Sequence, residues 1–126
     1  MLVVGIDIIE LNRIARVVER WGNRFLQRIY TPQELAYCRG RIPQLAARFA
    51  AKEAVMKALG TGIRGVGWKE IEVQRQRGRG PTITLHGRAK LKAEAIMIEE
   101  IAISISHSRD SAVVSVVGRR DEISNN

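Results

Sequence analysis

Pro43-Gln44-Leu45-Ala46-Ala47-Arg48-Phe49-Ala50-Ala51-Lys52-Glu53-Ala54-Val55-Met56-Lys57-Ala58-Leu59-Gly60 is the stretch on which the fold turns. Proline suits the first turn of a helix, and glycine suits the residue that ends one. At about 100° per residue, Leu45, Phe49, Met56 and Leu59 share one sector, and Glu53 and Lys57 lie together beside it. The remaining surface is mostly alanine, which favours close packing on several sides. Charges in such a helix are expected to be partly buried. The ordinary alternative for Glu53 and Lys57 is an exposed i,i+4 pair contributing about 0.2–0.5 kcal/mol.

Working outward, residues 2 to 9 are nearly all aliphatic and read as a buried strand. Residues 11 to 21 have helical spacing, with Leu11, Ile14, Val17, Val18 and Trp21 on one side. Gly22-Asn23 offers a break and a new N-cap. Thr31-Pro32-Gln33-Glu34 predicts a helix start, with threonine as cap and glutamate bonding back. After the quoted helix, Thr61 to Gly67 reads as a glycine-rich loop. Residues 68 to 77 and 82 to 86 read as a hairpin turned by Gly78-Arg79-Gly80-Pro81, and Gly87 to about Glu99 as a helix. Ile101 to Ser106 alternates strictly, and Ala112 to Val117 is a second apolar run. These elements predict one α+β domain over residues 1 to 120, followed by a polar tail, 121 to 126.

Among the 126 residues, 21 Lys and Arg face 13 Asp and Glu, a net charge of +8. Hydrophobic residues at 45% exclude a disordered chain, and the lone Cys38 excludes an intrachain disulfide. A lone thiol, with no export signal or membrane span, places the protein in the cytoplasm by expectation. Cys38 itself reads as a surface or half-buried thiol. Arg13, Arg16, Arg20, Arg24 and Arg28 step by three and four, one helical stripe if the helix survives Gly22. With few acids nearby, the stripe suits an acidic partner. A second basic stretch, 75 to 92, is compatible with nucleic acid, but few aromatics lie among the basic clusters to stack on bases.

Asp7 stands inside an aliphatic strand, so a metal, an arginine or backbone donors must hold it unless it faces water at the strand end. Asp7 and Glu53 together suit Mg²⁺, which is commonly held by one or two carboxylates, phosphate oxygens and waters. Lys57, one turn from Glu53, and Arg48 could then neutralise phosphates. Carboxylates repel phosphate unless a cation intervenes, which counts against a simple nucleic-acid binder. Gly60-Thr61-Gly62-Ile63-Arg64-Gly65 matches a dinucleotide-loop pattern but follows a helix rather than a strand; it is either a helix-stopping loop or a phosphate-approaching one. His107 ends a strand without a triad partner nearby in sequence.

Gly5-Ile6-Asp7, then Arg48 through Gly62, then Ile105-Ser106-His107-Ser108 resemble, in order across nearly the whole chain, the signatures of the short bacterial 4′-phosphopantetheinyl transferases, the holo-[acyl-carrier-protein] synthases. The resemblance implies that family's fold, a small antiparallel sheet packed with helices, and a homotrimer with active sites between neighbours. It also implies transfer of the 4′-phosphopantetheine arm of coenzyme A to a serine of acyl carrier protein, in the service of fatty acid biosynthesis. By position, Asp7 and Glu53 would hold Mg²⁺ and, with Lys57, form the catalytic set. Coenzyme A would be bound by Arg48, Lys52, Lys57, Gly60, Thr61, Gly62 and His107. Glu53, directly or through a metal-bound water, would help remove the serine proton. Arg13, Arg20, Arg24 and Arg28 would face the acidic carrier protein. The longer transferases carry a further acid two residues after the first Asp; Ile9 stands there, leaving that metal position to a water.

Overall fold

The computed structural model describes residues 1–76 and 78–121. Strand β1 (Leu2–Glu10) leads into helices α1 (Leu11–Trp21), α2 (Asn23–Ile29), α3 (Pro32–Cys38) and α4 (Ile42–Leu59). A short helix α5 (Gly62–Gly65) and a 3₁₀ turn (Trp68–Glu70) precede the hairpin β2 (Ile71–Arg75) and β3 (Pro81–Leu85). Helix α6 (Gly87–Ala95) and strands β4 (Ile98–His107) and β5 (Ser111–Arg120) complete the order. The long strands form an antiparallel sheet in the order β1-β5-β4, with β2-β3 as a separate antiparallel pair. The fold is α+β, as the sequence predicts.

Helix α4 lies across one face of the three-stranded sheet, where Leu45, Val55, Val114 and Val116 are all fully excluded from solvent. Each such side chain contributes about 1.5–3 kcal/mol. Alanines at 46, 47, 50, 51, 54 and 58 let neighbours approach α4 from several sides, so nearly the whole helix is buried, Arg48 and Lys52 included. The capping box forms as expected: Thr31 Oγ1 accepts from Glu34 N at 3.2 Å, and Glu34 Oε1 accepts from Thr31 N at 3.0 Å. Gly60 ends α4 with φ +74, a backbone conformation that glycine adopts without strain.

Several expectations need correction. Strand β1 is not buried on both faces: it is a sheet edge, and Leu2, Val4, Ile6 and Ile8 are 59% to 65% exposed. The basic stripe does not run along one helix, because Gly22, at φ +52 and ψ −131, separates α1 from α2. The break expected at Gly22-Asn23 does form, with Gly22 as the residue that caps α2. The reading of 68 to 77 as strand gives way at its start to the 3₁₀ turn, which Glu70 closes by accepting from the Gly67 backbone. Helix α6 stops at Ala95, since Met97 takes φ +64 and Ile98 is drawn into pairing with Arg120. Cys38 is fully buried rather than at the surface. Residues 122 to 126 of the expected tail lie outside the described residues.

Candidate active site

Asp7 sits on the face of β1 turned toward α4, between Gly5 and the core residue Ile9. Lys57, in the last turn of α4, reaches across: its Nζ donates to Asp7 Oδ1 at 2.9 Å and to the Ile6 carbonyl at 3.0 Å. The Asp7 side chain is 13% exposed and that of Lys57 55%, so the pair stands at the rim of the core. Glu53, one helical turn before Lys57, is half-buried. Burial pushes its carboxyl above the usual carboxylate range and the negative charge of Asp7 adds to this, while Arg13 and Lys57 oppose it.

Two carboxylates from different elements thus repel each other across a rim that two cations partly neutralise. That donor set fits a hard divalent cation, whose charge would relieve the repulsion. Among the described residues no cluster of three or more metal-ligating side chains forms, so a metal there would take its other ligands from water and phosphate. Ile9, two residues beyond Asp7 on the same face of β1, is 3% exposed and belongs to the core.

Lys52 is corrected as a ligand for coenzyme A. Its Nζ donates to Glu34 Oε1 at 2.7 Å, the Ile71 carbonyl at 2.5 Å and the Trp68 carbonyl at 3.0 Å. An ammonium has three protons, and all three are used inside the protein. The adjacent Glu53 points the other way because neighbours on a helix are about 100° apart.

Arg48 is 4% exposed, with its guanidinium 4.1 Å from the centre of the Tyr37 ring and its Nε without a hydrogen-bond partner among the described residues. A cavity of about 600 Å³ adjoins Tyr37, lined also by Arg75, Gln76, Gly78, Arg79 and Gly80. His107 lies at the beginning of α4, its Nε2 3.2 Å from the Pro43 carbonyl. Thr61 follows the helix-ending Gly60, and its buried Oγ1 also has no hydrogen-bond partner among the described residues; the adjacent Gly62 is exposed. Arg48 and His107 therefore mark one end of α4, and Glu53, Lys57 and the Gly60–Gly62 segment the other.

Arg13, Arg20, Arg24 and Arg28 are all exposed. Arg24 and Arg28 share a surface cavity of about 380 Å³ with Val17, Trp21 and Phe25. Arg13 does more than its stripe suggests, since it lies near enough to Glu53 to lower that carboxyl's pKa. Sequence spacing could not find this, because α1 and α4 are separated by two helices. Glu34 was also missed as the partner of Lys52, although its capping role was legible.

A basic α+β domain with two facing carboxylates, a lysine beside them and a buried arginine on the same helix has the features of a phosphate-handling transferase. The model of the 4′-phosphopantetheinyl transferase superfamily matches residues 3–115, and the chain belongs to that family. It is 48% identical over 121 residues to the holo-[acyl-carrier-protein] synthase of Koribacter versatilis, covering 93% of this chain and 97% of that one. The crystal structure of the Helicobacter pylori holo-[acyl-carrier-protein] synthase in complex with coenzyme A is similar at TM-score 0.84 and 34% identity, covering 92% of this chain and 99% of that one. The Neisseria meningitidis synthase matches at TM-score 0.86 and 35% identity, with 94% and 98% covered. The chain is accordingly an enzyme of the transferase class.

Proposed function

We propose that the chain transfers the 4′-phosphopantetheine group of coenzyme A to a serine of apo acyl carrier protein, releasing adenosine 3′,5′-bisphosphate. The observation that carries this reading is the meeting of Asp7 from β1 with Glu53 and Lys57 from α4, in a chain of this family. Asp7 and Glu53 would hold Mg²⁺, which when bound neutralises the pyrophosphate and favours departure of the nucleotide. Lys57, more than half exposed, adds a positive charge for the same phosphates. Glu53 is the proton acceptor for the serine hydroxyl, directly or through a metal-bound water. Arg48 and His107, at the far end of α4, suit the 3′-phosphate and adenosine, and Gly60, Thr61 and Gly62 pass beside the phosphates.

The exposed arginines with Trp21 between them form the docking surface for the acidic carrier. The uncovered apolar row Leu2, Val4, Ile6 and Ile8 supports assembly as a homotrimer, because such a face is otherwise costly in water. The family's substrates and the lone buried thiol fit a cytoplasmic enzyme serving fatty acid biosynthesis. Mass spectrometry of apo carrier incubated with the protein, coenzyme A and Mg²⁺ tests the reading. A gain of one phosphopantetheine, lost with Glu53→Ala and with EDTA, supports it; no gain from folded protein with several carriers removes it.

A further inference from the structure

Gly5 lies on the face of β1 turned toward α4. A β-carbon built there would stand 1.9 Å from the Ala54 carbonyl oxygen, 2.8 Å from its carbonyl carbon and 3.1 Å from the Ala58 nitrogen. The obstacle is helix backbone, which cannot rotate aside as a side chain does. Gly5 is not among the residues with positive φ, so glycine is required here for proximity and not for conformation. The helix is reciprocally trimmed, with alanine at both facing positions, 54 and 58.

The contact also sits between the functional groups. Asp7 lies two residues along β1 on the same face, Glu53 immediately precedes Ala54, and Lys57 immediately precedes Ala58. We infer that Gly5 is a positioning residue for the active site: its missing side chain sets the separation of β1 and α4 at which Asp7 meets Lys57 and faces Glu53. The inference rests on the roles proposed for those three residues. A side chain at position 5 must push the strand from the helix, and the lever arm to Asp7 is only two residues. Displacements of about 1 Å at a reacting centre can cost about 10²-fold in rate.

The test compares Gly5→Ala with Val73→Ala, a cavity-forming change in buried β2, and with Ala58→Val, which crowds the same contact from the helix side and serves if Gly5→Ala does not fold. For each folded variant, Tm, kcat, the KM for carrier protein and the affinity for Mn²⁺ in the presence of coenzyme A are measured. The expected result for Gly5→Ala or Ala58→Val is a kcat about tenfold to hundredfold lower and weakened Mn²⁺ binding, with an unchanged carrier KM. Val73→Ala, at a similar loss of Tm, keeps kcat and Mn²⁺ affinity within about twofold of wild type if its effect is one of stability alone. Equal losses of kcat in all three variants at matched Tm overturn the inference, as does full retention of kcat and Mn²⁺ affinity by Gly5→Ala. Wild-type protein that transfers but takes up no Mn²⁺ overturns the metal reading separately. A crystal structure of whichever contact variant folds then decides the Gly5 inference: a lengthened Lys57–Asp7 contact supports it, and one still at the wild-type 2.9 Å overturns it.

Discussion

Lys52 Nζ stands 2.7 Å from Glu34 Oε1, with both side chains fully excluded from solvent. The pair ties α4 to α3, and the same ammonium holds the carbonyls of Trp68 and Ile71, so three segments converge on one charge. Burial presses Lys52 toward its neutral form, and the charge and hydrogen bond of Glu34 oppose that pressure. Breaking such a pair from one side leaves an uncompensated buried charge, whereas removing both charges costs far less.

Lys52→Met is therefore expected to lose about 3–5 kcal/mol of stability. The double variant Lys52→Met with Glu34→Gln should recover part of the loss, and both should bind coenzyme A with wild-type affinity when folded. Urea unfolding and isothermal titration check this. A KM for coenzyme A that rises sharply in folded Lys52→Met would restore the lysine as a ligand.

Asp7→Asn and Glu53→Gln each remove a negative charge from the site. A drop in kcat of about 10²-fold or more is expected for Glu53→Gln if it serves as base. Lys57→Ala should raise the KM for coenzyme A as well as lower kcat, because its charge acts on phosphates already in the bound substrate. Steady-state kinetics with a fixed carrier separates these patterns.

Glu53 and Glu72 should titrate with opposite signs. Glu53 is raised by burial and by Asp7, so its contribution to stability is full below the unfolded pKa and is lost as pH rises through the higher folded value. Glu53→Gln should accordingly raise Tm at neutral pH in metal-free protein. Burial alone would raise Glu72, but hydrogen bonds from Thr31 Oγ1 at 2.6 Å and from His86 outweigh it and hold the carboxyl low. Its contribution is present above the unfolded carboxylate pKa and disappears as pH falls through the depressed one. Thermal melts from neutral to acid pH of wild type, Glu53→Gln and Glu72→Gln distinguish the two.

Charge reversal at Arg24 and Arg28 should raise the KM for the carrier at least about tenfold, from the loss of complementary charge. The KM for coenzyme A should stay unchanged, since both side chains line the surface cavity beside Trp21 and neither contributes to Glu53's environment. Added salt should reduce the wild-type advantage.

Cys38 should be inert to a thiol reagent in folded protein and react once urea unfolds it. It is fully buried, and burial raises its thiol pKa, which together deny both access and the reactive thiolate. Rapid labelling under native conditions would contradict the packing of α3 on α4.

What the sequence determined by itself is local. The Thr31–Glu34 capping box, the start and stop of α4 near Pro43 and Gly60, the break at Gly22 and the alternation of β4 were legible because each depends on neighbours within a few residues. Asp7 stood out because aliphatic strand residues surround it, and the motif set pointed to Glu53 and Lys57. Tertiary structure alone decided which charge goes where. Lys52 and Lys57 are both lysines on one helix, yet one is sealed inside with Glu34 and the other reaches Asp7 at the rim. Helical spacing separates their directions but does not say which direction is covered. That depends on α3, the Trp68–Ile71 segment and β1, whose approach to α4 depends in turn on a missing β-carbon at Gly5. These contacts join residues about 50 positions apart, Asp7 and Lys57 among them, and no local propensity encodes them.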